Sequence, residues 1–355
     1  MGVAVHESNS RFTLQSMSGN PVTSYDVAKR AGVSQSTVSR ALRGDVRVVV
    51  ETRDRIREIA SEMGYVPHIM ARSLITRKSS SIAIISGDLR NPSYPTLVNT
   101  LQSEFARDNY RVLLMSDRTE GDHENDVLAL RGGLVDGVIF NSARIDSPMI
   151  GALIEWNIPV VVLTRDVDAQ DASRVDRVTS DNIGGGRLIA DLLVDLGHKR
   201  IGVVGGPLDN PSVQLRERGF RDGLASHGVE LDESLVLRGV VDPSTGLDIG
   251  RTLLGAPEPP TAVFCATDYM AMGMLDAANR CGRRVPEDVQ VVGYNDLDMA
   301  SWSMFDLTTV RQPLEDMARA AAKRLLARID GDRSAAVHQN FGVTLVERGT
   351  TAPVA

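Results

Sequence analysis

The chain has 355 residues, of which 42% are apolar and 24% charged, with a net charge of -7. That length exceeds one ordinary domain, so two or three folding units are expected, and the composition is that of a globular protein. No apolar run approaches the roughly 18 residues that a membrane span needs, which excludes a helical membrane protein. The first twenty residues lack a basic start followed by an apolar run, so residues 1–20 read as a polar tail rather than a secretory leader. Cys265 and Cys281 form no CxxC pair and have no nearby His. Reduced thiols, a cytoplasmic setting, no metal and no cofactor are the expectation. Charge is unevenly placed. Pro21 to Lys78 holds 11 Lys and Arg against 6 Asp and Glu, so a basic head precedes an acidic body. A polyanion is the expected partner of the head alone.

Thr23 and Asp26 have the spacing of a helix cap with an acidic first turn. Val27, Ala28 and Ala31 form the apolar stripe behind them, and Gly32 is placed to end that helix. Ser34 is placed to cap a second helix. On it Val38, Ala41 and Leu42 share one side, while Gln35, Ser36, Ser39, Arg40 and Arg43 occupy an opposite arc about 140° wide. Two short helices that cross at small alanines predict a helix-turn-helix. A third helix is expected from about Thr52 to Met63, stopped by Gly64.

The pattern D-V-A-K-R-A-G-V-S-x-x-T-V-S-R-A-L, then Thr52-Arg53, then G-Y-x-P and A-R-x-L, resembles the LacI family of bacterial transcription regulators. The resemblance extends through the body to the end of the chain. It implies that the second helix lies in the DNA major groove, with Gln35, Ser36 and Arg40 reading bases. Arg is suited to guanine and Gln to adenine, while Ser tolerates several partners. Thr23, Ser34, Thr37, Ser39 and Arg53 fall on phosphate-contacting or capping positions, with plain surface polarity as the other reading of Thr37 and Ser39. "HIMARSL" resembles the family's hinge helix, which places Ala71 and Leu74 in the minor groove with Leu74 as the wedge. Two positions depart from the family pattern. Val49 stands where a Ser usually caps the third helix, and His68 follows the proline where Asn or Ser is common. The expected units are a tail at 1–20, a DNA-binding domain at 21–66, a hinge helix and linker at 67–79, and a body at 80–355.

From Ser81 onward, apolar runs (SIAII, RVLLM, DGVIF, PVVVL, RIGVVGG, AVFCA, VQVVGY) alternate with helical stretches. Such continuous runs predict parallel strands covered on both faces, and they are too many for one sheet. The fold class is therefore α/β: an all-α head with a hinge helix, then a two-lobed parallel α/β body. The resemblance implies the type I periplasmic-binding-protein fold for that body. It divides the lobes at Ser80–Thr179 with Val310–Asn340 and at Ser180–Thr309 with Phe341–Ala355.

"GGGR" at Gly184–Arg187 and "GVVGGP" at Gly202–Pro207 match neither a dinucleotide nor a P-loop fingerprint, so helix entry and tight packing explain them. No nucleophile elbow or Ser-His-Asp set is present, and the chain is not expected to be an enzyme. Ligands of two-lobed α/β proteins sit at the carboxyl ends of strands, between lobes. Ser93 and Tyr94 follow the first strand and match the family's effector-facing pair. Thr164 and Arg165 follow "VVL", and Asn210, Ser212 and Arg216 follow "VVGG", with Arg216 on the family's cleft arginine. Phe264 and Asp268 come from the next strand, and Asn295 and Trp302 from the one after. Arg216 is read as a ligand contact in preference to a lobe–lobe ion pair. Asp268 is read as either a ligand contact or a helix cap, and Trp302 as either a stacking or a packing residue.

The resulting expectation is a homodimeric, ligand-responsive transcriptional repressor. It binds near-palindromic double-stranded operator DNA and senses a sugar, sugar acid or sugar phosphate. The alternative is a cytoplasmic small-molecule-binding protein or α/β enzyme without sequence-specific DNA binding. An exported solute-binding protein and a purely architectural DNA protein fit less well, the first because of the basic head, the second because of the cleft. The family's sugar binders carry Asp where this chain has Asn295, with rotation of the adjacent Asp296 as one way to restore the acceptor and Asp268 as another source of charge. Loss of that charge beside Arg216 predicts an effector bearing a carboxylate or phosphate.

Overall fold

A computed structural model describes residues 22–66, 78–87, 89–116, 128–141, 148–167 and 171–353. The chain divides into two compact units, Met1–Thr76 and Arg77–Ala355.

The first unit contains α1 (Ser24–Ala31), α2 (Gln35–Leu42) and α3 (Val50–Glu62). Thr23 and Asp26 form a reciprocal capping box on α1, and Gly32 closes that helix at φ 64°, a left-handed conformation that costs glycine little. Ser34 caps α2 through Thr37 N. Val49 precedes α3 without any side-chain cap bond, the local loss that its replacement of a hydroxyl residue entails. Val27, Ala28, Ala31, Val38, Ala41, Val48, Ile56 and Ala60 are the buried core of the unit.

In the second unit, a six-stranded parallel sheet forms the first lobe, in the order β11-β5-β4-β3-β1-β2. Its strands are β1 (Ser81–Ser86), β2 (Arg111–Ser116), β3 (Gly137–Asn141), β4 (Val160–Leu163), β5 (Asp176–Ser180) and β11 (His338–Phe341). Alternate residues of this sheet serve two cores. Ile82, Ile84, Ile139 and Val161 pack with α4 (Ser93–Arg107) and α10 (Leu314–Ile329). Ala83, Ile85, Val138 and Val160 pack with α5 (Pro148–Glu155). Burial on both faces explains why these strands read as unbroken apolar runs. Edge strand β2 is the exception, since only one neighbour covers it and Leu114 is exposed.

The second lobe carries a four-stranded parallel sheet in the order β7-β6-β8-β9. It comprises β6 (Ile201–Gly205), β7 (Val236–Arg238), β8 (Ala262–Cys265) and β9 (Gln290–Val292), with β10 (Thr309–Arg311) paired antiparallel to β12 (Thr344–Val346). Helices α6 (Asn182–Asp195) and α7 (Pro211–Ser226) cover one face, and α8 (Pro243–Leu254) and α9 (Asp268–Arg280) the other. The glycines of "GGGR" serve packing. A Cβ on Gly186 would overlap the carbonyl oxygen of Arg216, and one on Gly219 would overlap that of Ile183. The α6 and α7 backbones therefore touch.

The lobe boundaries differ slightly from the expected ones. Val310 packs in the core of the second lobe, and Phe341 pairs with Ser180 and packs in the first. The chain crosses at Asp181, Gln312 and Gly342, because β10 and β12 pair with each other within the second lobe, where the C-terminal segment then stays against β9.

Candidate nucleic-acid interface and ligand cavity

Burial of Val38 and Ala41 fixes the rotation of α2, and that rotation leaves Ser36 and Arg40 exposed, with Gln35, Thr37 and Ser39 half-buried. Gln35 Nε2 donates to Ser24 Oγ at 3.2 Å, which ties the start of α2 to α1. Ser34 Oγ lies 2.8 Å from both Ser36 Oγ and Thr37 Oγ1, so three hydroxyls cluster at the α2 N-terminus. Thr23 is engaged in its capping box, its N and Oγ donating to Asp26 Oδ2 at 2.8 and 2.7 Å. Arg53 Nε is buried without a hydrogen-bond partner. Arg55 Nη2 donates to Ala31 O at 2.5 Å and closes α3 onto the end of α1. One exposed residue was not singled out from sequence. Tyr25, on α1, is 72% exposed, and its exposure became visible only in the fold. Ala71 and Leu74 lie outside the described residues.

In the body, a cavity of about 450 Å³ opens where the strand ends of the two lobes meet. Seven of the expected effector residues line it: Ser93, Tyr94, Arg165, Asn210, Ser212, Arg216 and Asn295. Three do not. Phe264 is fully buried in the second lobe against Phe220, with ring centroids 4.8 Å apart; its side chain points along the pleat into the core rather than out of the strand end. Trp302 follows a short 3-10 turn and is half-exposed away from the cavity. Asp268 is completely buried, accepting from Leu297 N at 2.8 Å and Thr309 Oγ1 at 2.5 Å. Thr267, not Asp268, caps α9. Burial pushes the Asp268 carboxyl up to about 6, against the two hydrogen bonds that stabilise its charge.

Arg216 is 5% exposed and lies over the ring of Tyr294, its Cζ 3.9 Å from the ring centroid. Its Nε donates to Asn182 Oδ1 at 2.9 Å and its Nη1 to Ala266 O at 2.8 Å. Both partners belong to its own lobe, so it is not the lobe–lobe ion pair that was the other sequence reading. Burial lowers its pKa, which the Tyr294 oxygen and Asp268 partly offset; a guanidinium stays charged through such a change. Arg165 stacks on Phe140 at 4.9 Å.

Two hydrogen bonds at the cavity link the lobes directly. Asn295 Nδ2 donates to Ser93 Oγ at 2.9 Å, and Ser212 Oγ donates to Thr164 O at 2.9 Å. Asn295 also accepts from Gln312 Nε2 at 2.6 Å, and Gln312 Oε1 accepts from Ser180 Oγ at 2.6 Å, so the crossing segments join the network. Asp296 does not turn into the cavity as the sequence allowed. Arg311 Nε and Arg348 Nη2 hold it at 2.5 and 2.6 Å. Sequence reading missed Asp209, Asp242, Thr267 and Gln312 among the lining residues. Asp242 and Thr267 carried a signal, because each is a polar residue one step before a helix.

Comparison with known proteins follows this division. Residues 23–68 match the lacI family of bacterial regulatory proteins, and residues 190–351 match a periplasmic binding protein-like domain. The chain is 35% identical over 311 residues to the HTH-type transcriptional regulator CelR of Thermobifida fusca, which covers 86% of this chain and 91% of the relative. The structure of a CelR–cellobiose complex superposes with a TM-score of 0.72 at 33% identity, covering 93% of this chain and all of the other. A lac repressor dimer bound to operator and the anti-inducer ONPF superposes at 0.83 with 29% identity, covering 95% and 100%. A helix-turn-helix head with an arginine-bearing second helix, joined to a two-lobed body around a polar cavity, places this chain in the LacI family of DNA-binding transcriptional regulators, not among enzymes.

Proposed function

We propose that the protein is a cytoplasmic repressor that binds a near-palindromic operator as a homodimer and changes its DNA affinity when a sugar-like metabolite occupies the body cavity. One observation carries the reading: the cavity is bounded by the same residues, Ser93 and Asn295, that hydrogen-bond one lobe to the other. A ligand there interacts differently with each lobe arrangement, and that difference is what shifts an equilibrium. The volume of about 450 Å³ suits a small sugar or its derivative. Support also comes from CelR, whose solved complex contains cellobiose. On the head, Gln35, Ser36 and Arg40 read bases, while Ser34, Thr37, Ser39, Arg53 and Thr23 contact the backbone. Ala71 and Leu74 serve the minor groove. In the body, Ser93, Tyr94, Arg165, Asn210, Ser212, Arg216 and Asn295 form the effector site. Selection of bound duplexes from a random pool tests the proposal. It predicts enriched sites with two-fold symmetry, as two identical reading helices require; enrichment of asymmetric or unrelated sequences would overturn it.

A further inference from the structure

The hydrogen-bond polarity of the cavity follows from what its lining residues already do. Asn91 Oδ1 accepts from Ser93 N at 3.1 Å, and Asn210 Oδ1 accepts from Ser212 N at 3.2 Å. Thr267 Oγ1 accepts from Met270 N at 3.2 Å. Asn295 Oδ1 accepts from Gln312 Nε2 at 2.6 Å. These four side-chain acceptors are thus turned toward a helix start or a neighbouring amide. An amide used this way still offers its N–H donors, and a hydroxyl that accepts still has its proton to give. Ser93 follows the same rule, because its oxygen accepts from Asn295 Nδ2.

Charge points the same way. Arg216 is buried, and neither of its hydrogen-bond partners is a carboxylate. Two carboxylates of the strand-end loops have hydrogen-bond or ion-pair partners other than Arg216: Asp268, whose charge still acts on Arg216, bonds to Leu297 and Thr309, and Asp296 pairs with Arg311 and Arg348. Asp209 and Asp242 line the cavity from the loops after β6 and β7. Asp242 Oδ1 already accepts from Ser244 N at 2.8 Å.

Resting on the sensor reading above, we infer that the effector carries a carboxylate or phosphate, a group that only accepts. It is seated against Arg216 with the Thr267 and Ser93 hydroxyls donating, and the hydroxyl-bearing remainder lies toward Asp209 and Asp242. An anion at a buried guanidinium forms the strong, charge-assisted kind of hydrogen bond.

The test uses the full chain with four probes at matched ionic strength: gluconate, glucose 6-phosphate, glucose and cellobiose. Melting temperature, calorimetric titration and DNA affinity are read together. The expected result is stabilisation by gluconate or by glucose 6-phosphate, which tells carboxylate from phosphate, and none by the neutral sugars. Arg216→Gln abolishes that stabilisation. Because Arg216 is buried, near-isosteric Asn295→Asp serves as the second variant. It places a carboxylate beside the anion site and lowers acid affinity at least tenfold while leaving the ligand-free melt cooperative. Stabilisation by a neutral sugar alone, with altered DNA affinity, overturns the acid assignment and leaves the sensor reading standing. No stabilisation by either acid at about 10 mM, where even millimolar binding shifts the melt, also overturns it.

Discussion

Asn295 and Ser93 lie 202 residues apart and join the two lobes, Asn295 Nδ2 donating to Ser93 Oγ at 2.9 Å across the cavity. Asn295 has a φ of 129° and Asp296 one of 57°, so two consecutive residues other than glycine occupy the left-handed half of backbone space. Strain of this kind persists where surrounding bonds over-determine it, here the bonds from Gln312, Arg311 and Arg348. Ser93→Ala removes the cross-lobe bond without disturbing that anchorage. We expect a loss of about 1 kcal/mol in the stability of the body together with a changed ratio of DNA affinities with and without effector. Urea denaturation and DNA titration check it; an unchanged ratio would mean that the bond does not couple the sites.

Arg40→Ala should weaken specific DNA binding by about 1–3 kcal/mol and relax the preference at one base pair in each half-site. Arg40 is exposed on the side of α2 opposite the buried Val38 and Ala41. Anisotropy titrations against selected and scrambled duplexes distinguish the roles. An equal loss on both would assign Arg40 to phosphate.

Gly219→Ala should destabilise the body by about 3 kcal/mol or prevent its folding, because the new Cβ meets the backbone of Ile183 and cannot be relieved by a rotamer change. Gly228, exposed and with open space at its Cβ position, is the control. Its left-handed φ of 72° makes alanine there cost about 1–2 kcal/mol from backbone strain alone. A Gly219 variant no worse than the Gly228 one in urea would refute the helix-contact account.

Asp268 predicts an unusual pH dependence. Burial raises its folded-state pKa from 3.8 to about 6. The native state therefore holds a proton that the unfolded chain has lost between those values, and the group's contribution to stability falls as pH rises through that window. The full change is about 3 kcal/mol. Asp176 acts oppositely. Burial alone would raise its pKa, but hydrogen bonds from Arg328, Val337 and Arg324 bring it below the ordinary value, so its contribution is present above about pH 4 and lost below. Comparing wild type with Asp268→Asn by chemical denaturation between pH 4 and 7 isolates the first effect. The difference between the two proteins should change with pH in that window; a constant difference would show that Asp268 titrates normally.

The sequence showed most where one physical requirement dominated. Six strands were visible as apolar runs because both their faces are covered, and edge strand β2 was visible from its composition alone despite being partly exposed. Strand β11, HQNF, was invisible because it is a largely exposed edge strand with one neighbour. Helix caps at Thr23 and Ser34 were legible because capping is a local matter of spacing. Phe264 and Asp268 were misplaced for a different reason. Following a strand fixes which end of the sheet a residue is near, but the pleat and the next helix decide whether its side chain faces the cavity. Gln312 had no local signal at all, since its role arises only where its crossing segment meets Ser180 and the loop that carries Asn295.

The central claim is that occupancy of the body cavity controls the DNA affinity of the head. It is tested most directly by titrating a selected operator duplex with the full chain, with and without a saturating ligand that stabilises the body. The account predicts a shift in operator affinity of about 5–150-fold, matched by an equal shift in ligand affinity when DNA is added first. Ligand binding that leaves operator affinity unchanged would contradict it.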